Sequence, residues 1–219
     1  MAYTRGNSKQ IIVGAAALFI ADDSLEYYSS ASAYRFSNAS ANGLPAFANG
    51  TSFRDTLSTG SGDSAYWTNV GYTMNGLELQ FQPDFGEVQV DQLLDVARLY
   101  KQGMSVSLVT AFAEATLDNL VTAIAAKDAD LTTSGSNQTL EIKSGDIGDV
   151  PVERALAAVG PGTGDPQVTK ERVYVANRAL SIENVTVSAK RDTPSMFEVT
   201  FRLLSASNGS YGRIVDRTL

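Results

Sequence analysis

The chain has 219 residues, a hydrophobic fraction of 43% and a formal net charge of -7. That is enough for one domain with a real core, and the acidic balance excludes the basic footprint of a protein that grips nucleic acid. Cysteine and histidine are both absent, which excludes disulfides, thiolate metal sites and every triad built on histidine. Catalysis would have to rest on carboxylates, lysine or tyrosine. A non-enzymatic protein without cofactor or metal is therefore expected.

The first apolar run is "IIVGAAALFIA", residues 11–21. It is shorter than the roughly 20 residues that span a bilayer. Arg5 and Lys9 precede it, as they would a signal peptide, but Asp22 and Asp23 follow without a small-residue cleavage pattern. A buried strand is expected, and no targeting segment or membrane contact.

Residues 22–66 are rich in Ser, Ala, Asn and Gly, and loops of that length are usually functional or disordered. Large apolar groups are scattered through them. Phe36, Leu44, Phe47, Phe53 and Leu57 are candidate contacts of an inter-subunit arm, because each such group contributes about 1.5–3 kcal/mol when buried. The alternative is a loop packed on its own domain.

Next comes "LELQFQPDFGEVQVDQ", residues 77–92. Its Asp84-Phe85-Gly86 matches the magnesium-holding tripeptide of protein kinases, but a chain without histidine cannot carry the rest of that machinery. Paired across Pro83–Gly86, the two halves predict a short hairpin, with Gly86 left-handed in the turn. Phe81 would then face Val88, and Leu79 would face Val90. The other face would carry Glu78, Gln80, Gln82, Glu87, Gln89 and Asp91, with no lysine or arginine. Like charges opposite one another cost stability, so this face is a candidate for function.

Residues 103–115 read as a strand with Met104, Val106 and Leu108 on one face. The period then changes: Leu117, Leu120, Val121 and Ile124 follow helical spacing. Thr116 is the expected N-cap and Asp118 lies in the first turn, so a helix is expected over about 116–126. Residues 139–143 alternate weakly, and 152–160 are ambiguous between strand and short helix. Residues 172–191 are strand-like with a bend near Glu183, and 196–204 place Phe197, Val199, Phe201 and Leu203 on one face. Residues 160–166 form a turn rather than a phosphate loop, because no helix follows. The acidic pairs Asp128/Asp130 and Asp146/Asp149 lack calcium-loop spacing. The expected fold is mainly β (α+β): one domain, an antiparallel β-sandwich or barrel-like subunit with one flanking helix.

With these residues in view, "VGYTMNGLELQFQPDFGEVQVDQLLD" (70–95) and "YKQGMSVSLVTAFAEATLDNLVTAI" (100–124) resemble the central block of tail tube proteins, the major tail proteins of long-tailed bacteriophages. Gly71-Tyr72-Thr73 and Glu87-Val88-Gln89-Val90-Asp91-Gln92 match that pattern. So does Ala113-Glu114-Ala115-Thr116-Leu117. "IIVGAAALFI" is similar to the family's first strand and "YGRIVDRT" (211–218) to its closing segment. Residues 22–66 match no shared pattern. The resemblance implies subunits that form homo-hexameric rings, stacked into a hollow tube that conducts viral DNA without binding it specifically. It implies other tail proteins as partners (tape measure, terminator, distal tail), a place in the virion, synthesis in the host cytoplasm and no catalytic residues. In such a tube the polar face of residues 78–91 would line the lumen or a seam between rings, where an acidic surface repels phosphate. Two other readings remain at this point. One is a carbohydrate-binding sandwich using Tyr66, Trp67 and Tyr72. The other is a glycosidase, for which no suitably spaced carboxylate pair is evident.

Overall fold

A computed structural model describes residues 14–21, 67–89, 95–144, 147, 151–163, 170–187, 191–192, 194–206 and 209–218. The expected arm at 22–66, with Phe36, Leu44, Phe47, Phe53 and Leu57, lies outside them, as does Asp91.

The strands are β1 (Ala17–Ala21), β2 (Trp67–Asn69), β3 (Thr73–Gln89), β4 (Val96–Phe112), β5 (Leu131–Ser134), β6 (Asn137–Leu140), β7 (Arg154–Pro161), β8 (Lys170–Ser181), β9 (Phe197–Leu203) and β10 (Gly212–Thr218). The helix, α1, is Leu117–Ala123. One antiparallel sheet runs in the order β2-β1-β7-β8-β9-β4-β3, with β10 on β8, while β5 and β6 form a separate hairpin. The mainly β fold with one helix is as expected.

The sheet becomes a sandwich because β8 changes partners. Its residues 170–176 pair with β10, whereas Ala179, Leu180 and Ser181 pair with Leu203, Arg202 and Phe201 of β9. The main core fills the space between the two halves: Leu18, Ile20, Leu156 and Ala158 from one side, Val106, Leu108, Phe112, Val199 and Phe201 from the other. β9 shows the clean alternation that its sequence predicts, with Phe197, Val199, Phe201 and Leu203 buried and Glu198 and Arg202 exposed. β1 and β7 do not alternate, for a physical reason. Leu18 and Ile20 face the main core while Phe19 and Ala21 join a second cluster with Trp67, Ala157 and Val173. A strand buried on both faces reads as a continuous apolar run, which is why residues 152–160 were ambiguous between strand and helix.

α1 begins as expected. Thr116 Oγ1 accepts from the Asn119 amide at 3.2 Å and Asp118 sits in the first turn. It ends earlier than the spacing predicts, at Ala123, because Ala125 adopts a left-handed φ of 54°. Arg154, buried in β7, fastens the chain beyond the helix. Its guanidinium donates to the carbonyls of Ala21 (3.3 Å) and Ala126 (3.0 Å) and to the Asp128 carboxylate (3.0 and 2.7 Å).

β10 is held to β8 by ion pairs at neighbouring register positions. Arg172 pairs with Asp216 and Arg217 with Glu171, so one pair stands on each face of the ladder. The hydrogen bond from Arg172 holds the Asp216 carboxyl below its ordinary value, against the opposing effect of burial. A depressed carboxyl contributes stability above its unfolded pKa, about 3.9, and loses it as pH falls through the folded value. Hydrogen exchange of the 212–218 amides, corrected for intrinsic rates, is therefore expected to quicken as pH falls below about 4. Asp216→Asn should flatten that dependence. Asp216 is half exposed, so the effect is on the order of 1 kcal/mol or less.

Candidate functional site

The short hairpin expected across Pro83–Gly86 does not form. Residues 77–89 belong to one long strand, β3, that pairs with β4 throughout: Leu79 with Leu108, Phe81 with Val106, Pro83 with Met104 and Gly86 with Tyr100. Two facts let the supposed turn residues stay extended. Among the described strands β3 pairs only with β4, and a proline on an edge strand can direct its missing N–H away from the ladder. Gly86 is not left-handed; it is covered by side chains from β4. A Cβ there would come within 2.6 Å of Tyr100 Cζ and 2.5 Å of Gln102 Nε2.

This register redraws the polar face. Glu78, Gln80 and Gln82 do share one, alternating with Leu77, Leu79 and Phe81. Asp84 continues it. Glu87 falls on the opposite face by the same alternation, and Gln89 pairs with Val96 at the end of the strand. Glu78 stands opposite Val109, Gln80 opposite Ser107 and Gln82 opposite Ser105, so the like-charge pairing inferred from the sequence is absent. Ser107 Oγ donates to Gln80 Oε1 at 3.5 Å, and Gln80 Nε2 donates to Glu78 Oε1 at 3.0 Å. On the next strand Arg202 is in register with Ser107 and Thr200 with Val109. The face thus carries cations as well as acids: Arg202 and, in register with Val88, Arg98, beside Glu78, Asp84 and Glu198. The acids do not converge: among the described residues no group of three could hold a metal ion.

The second feature was not legible in the sequence. Beyond Phe81 and Met104 the β3–β4 ladder leaves the core, and both of its faces are exposed. Along it stand Phe81, Phe85, Val88, Leu99 and Tyr100, each 40–60% exposed. Such a concentration on one projecting element is more than singly scattered apolar exposure. The signal available in the sequence was the length of the alternating pattern, which continues through Pro83 instead of stopping there.

Two motifs distant in sequence meet at the base of this ladder. Glu114 Oε1 accepts from the Tyr72 amide at 2.8 Å, and the Ala113 amide donates to the Tyr72 carbonyl at 2.9 Å. The Glu114 carboxylate lies where a side chain at position 71 would be, and Gly71 has a φ of 86°, so glycine is required twice over. Buried Asn119 completes the joint, its Nδ2 donating to the carbonyls of Val70 (2.9 Å) and Glu114 (2.8 Å). The residues that carry the resemblance at 71–73 and 113–117 thus form one structural unit that anchors the ladder. Among the aromatics of the carbohydrate reading, Tyr72 is exposed and Trp67 is buried at 6%, while Tyr66 lies outside the described residues.

No protein-family model matches the chain, and no curated protein is significantly similar to it.

Proposed function

We propose that this chain is a tail tube protein of a long-tailed bacteriophage, polymerising as stacked hexameric rings into a conduit for DNA. The observation that carries the reading is the projecting β3–β4 ladder, whose large apolar side chains stand exposed in the single chain, as a surface that a second copy covers would. The residue pattern at 70–124 supplies the family. The outer edges of β3 and β10, which pair with no further strand among the described residues, agree with it, since exposed edges invite uncontrolled pairing unless a neighbour covers them. The carbohydrate reading loses a stacking platform with Trp67 buried.

Electron microscopy of the purified protein is expected to show rings or tubes, with a mass of six chains per ring. A monomer that stays monodisperse at every concentration would overturn the reading. In the assembled tube the polar face of Glu78, Gln80 and Gln82 lines the bore. The triple variant Glu78→Lys, Gln80→Lys, Gln82→Lys should still assemble, because these positions lie outside the core. Its tubes should trap DNA at physiological salt, where charges act over about 8 Å, and wild-type tubes should not. Lysine tubes that leave DNA as free as wild type would remove these residues from the bore.

A further inference from the structure

An apolar groove of about 370 Å³ opens between the base of the β3–β4 ladder and β10. Its floor is core, including Val106, Leu108 and Ala176, and Tyr211 ties its inner end by donating to the Met104 carbonyl at 2.6 Å. An adjoining cavity shares Leu79, Phe81, Tyr174 and Ile214 with it, so the two hollows meet at these residues. Phe81 and Ile214 stand at least half exposed on its two rims. Both bordering strands, β3 and β10, pair on one side only among the described strands. A groove with apolar walls and two open sheet edges fits an extended, partly apolar chain segment better than a small polar molecule.

The distal ladder is such a segment. Phe85 and Leu99 lie on the same ladder face as Leu79 and Phe81, by strand alternation through the bulge at Gln102. It cannot enter the groove of its own subunit, because its base is the groove's wall and Phe85 lies roughly 20 Å further along the strand than Leu79. The ladder's apolar face carries both signs, Lys101 in register with Phe85 and Glu87 in register with Leu99, and Arg213 lines the groove beside Ile214. A knob and its complementary groove on different parts of one molecule generate a head-to-tail contact, which closes into a ring or continues as a filament.

We propose that the distal half of the β3–β4 ladder of one subunit seats Phe85 and Leu99 in the β3–β10 groove of a second copy. This rests on the self-assembling reading above and names the surfaces that make the contact. The chain has no cysteine, so introduced cysteines report the contact without background. The double variant Leu99→Cys, Ile214→Cys, oxidised after assembly, should give a ladder of covalent multimers on a non-reducing gel. Leu99→Cys mixed with Ile214→Cys should give the mixed dimer. Independently, Phe85→Glu with Leu99→Glu should raise the concentration needed for assembly at least about tenfold, corresponding to about 1.4 kcal/mol. Both positions are exposed, so the unfolding midpoint of the subunit should hardly move. Wild-type tubes combined with absent cross-links, cross-links confined within one chain, or unimpaired assembly of the glutamate variant would overturn the contact and leave the tube reading standing. A wild-type chain that never assembles would overturn both.

Discussion

Replacing Arg154 with methionine is expected to lower the unfolding free energy by about 3 kcal/mol. The aliphatic stem would still fill its place in β7. Lost would be the donors to the Ala21 and Ala126 carbonyls and to both oxygens of Asp128. An Arg154 side chain only 4% exposed leaves water little access to the vacated acceptors, whereas Asp128, at 40%, can recover part of its hydration. That difference keeps the cost at the lower end of the range for a broken buried pair. Urea denaturation with an unchanged slope and a lowered midpoint would report it. Arg154→Lys keeps the charge but cannot reach three partners at once, so it should fall between wild type and methionine. A loss below about 1 kcal/mol for methionine would mean that the carbonyls find other donors.

Phe201→Ala is expected to cost about 3–5 kcal/mol, a large part of the usual stability of a domain. Phe201 is 1% exposed, and its ring centroid lies 6.3 Å from that of Phe112. Its backbone is in register with Leu108 of β4 and Ser181 of β8. A cavity there loosens β9, which links β8 to β4 in the sheet. Phe201→Leu should cost much less, because most of the volume is kept. Thermal unfolding followed by calorimetry would separate the two. Equal losses would show that shape rather than volume is what the site requires.

Several elements were legible from local chemistry. β9 alternates because one face meets the core and the other meets water. The helix start at Thr116 is written in the hydroxyl, the following acid and the change of period. The pairing of residues 77–89 was misread because both patterns, hairpin and long strand, segregate polar from apolar residues. What separates them is the partner strand, which is near in sequence only at the tip of the ladder (Gln89↔Val96) and 33 residues away at Leu77↔Thr110, beyond a local window. Pro83 and Gly86 read as a turn only while the edge position of β3 and the Tyr100 side chain over Gly86 are unknown. The candidate face changed with the register: Glu78, Gln80 and Gln82 stay together, Glu87 leaves them, and Arg202 joins from a strand more than 100 residues on.

Composition alone settled which chemistries are open to this protein, because the chemistry of absent histidine and cysteine does not depend on conformation. Periodicity settled the class of most elements, because alternation and helical spacing are local consequences of backbone geometry. Which strands pair, which acids share a face and which apolar side chains stand clear of the core were decided by tertiary structure. Those outcomes depend on contacts between residues far apart in the chain, and a one-residue change of register exchanges the two faces of a strand.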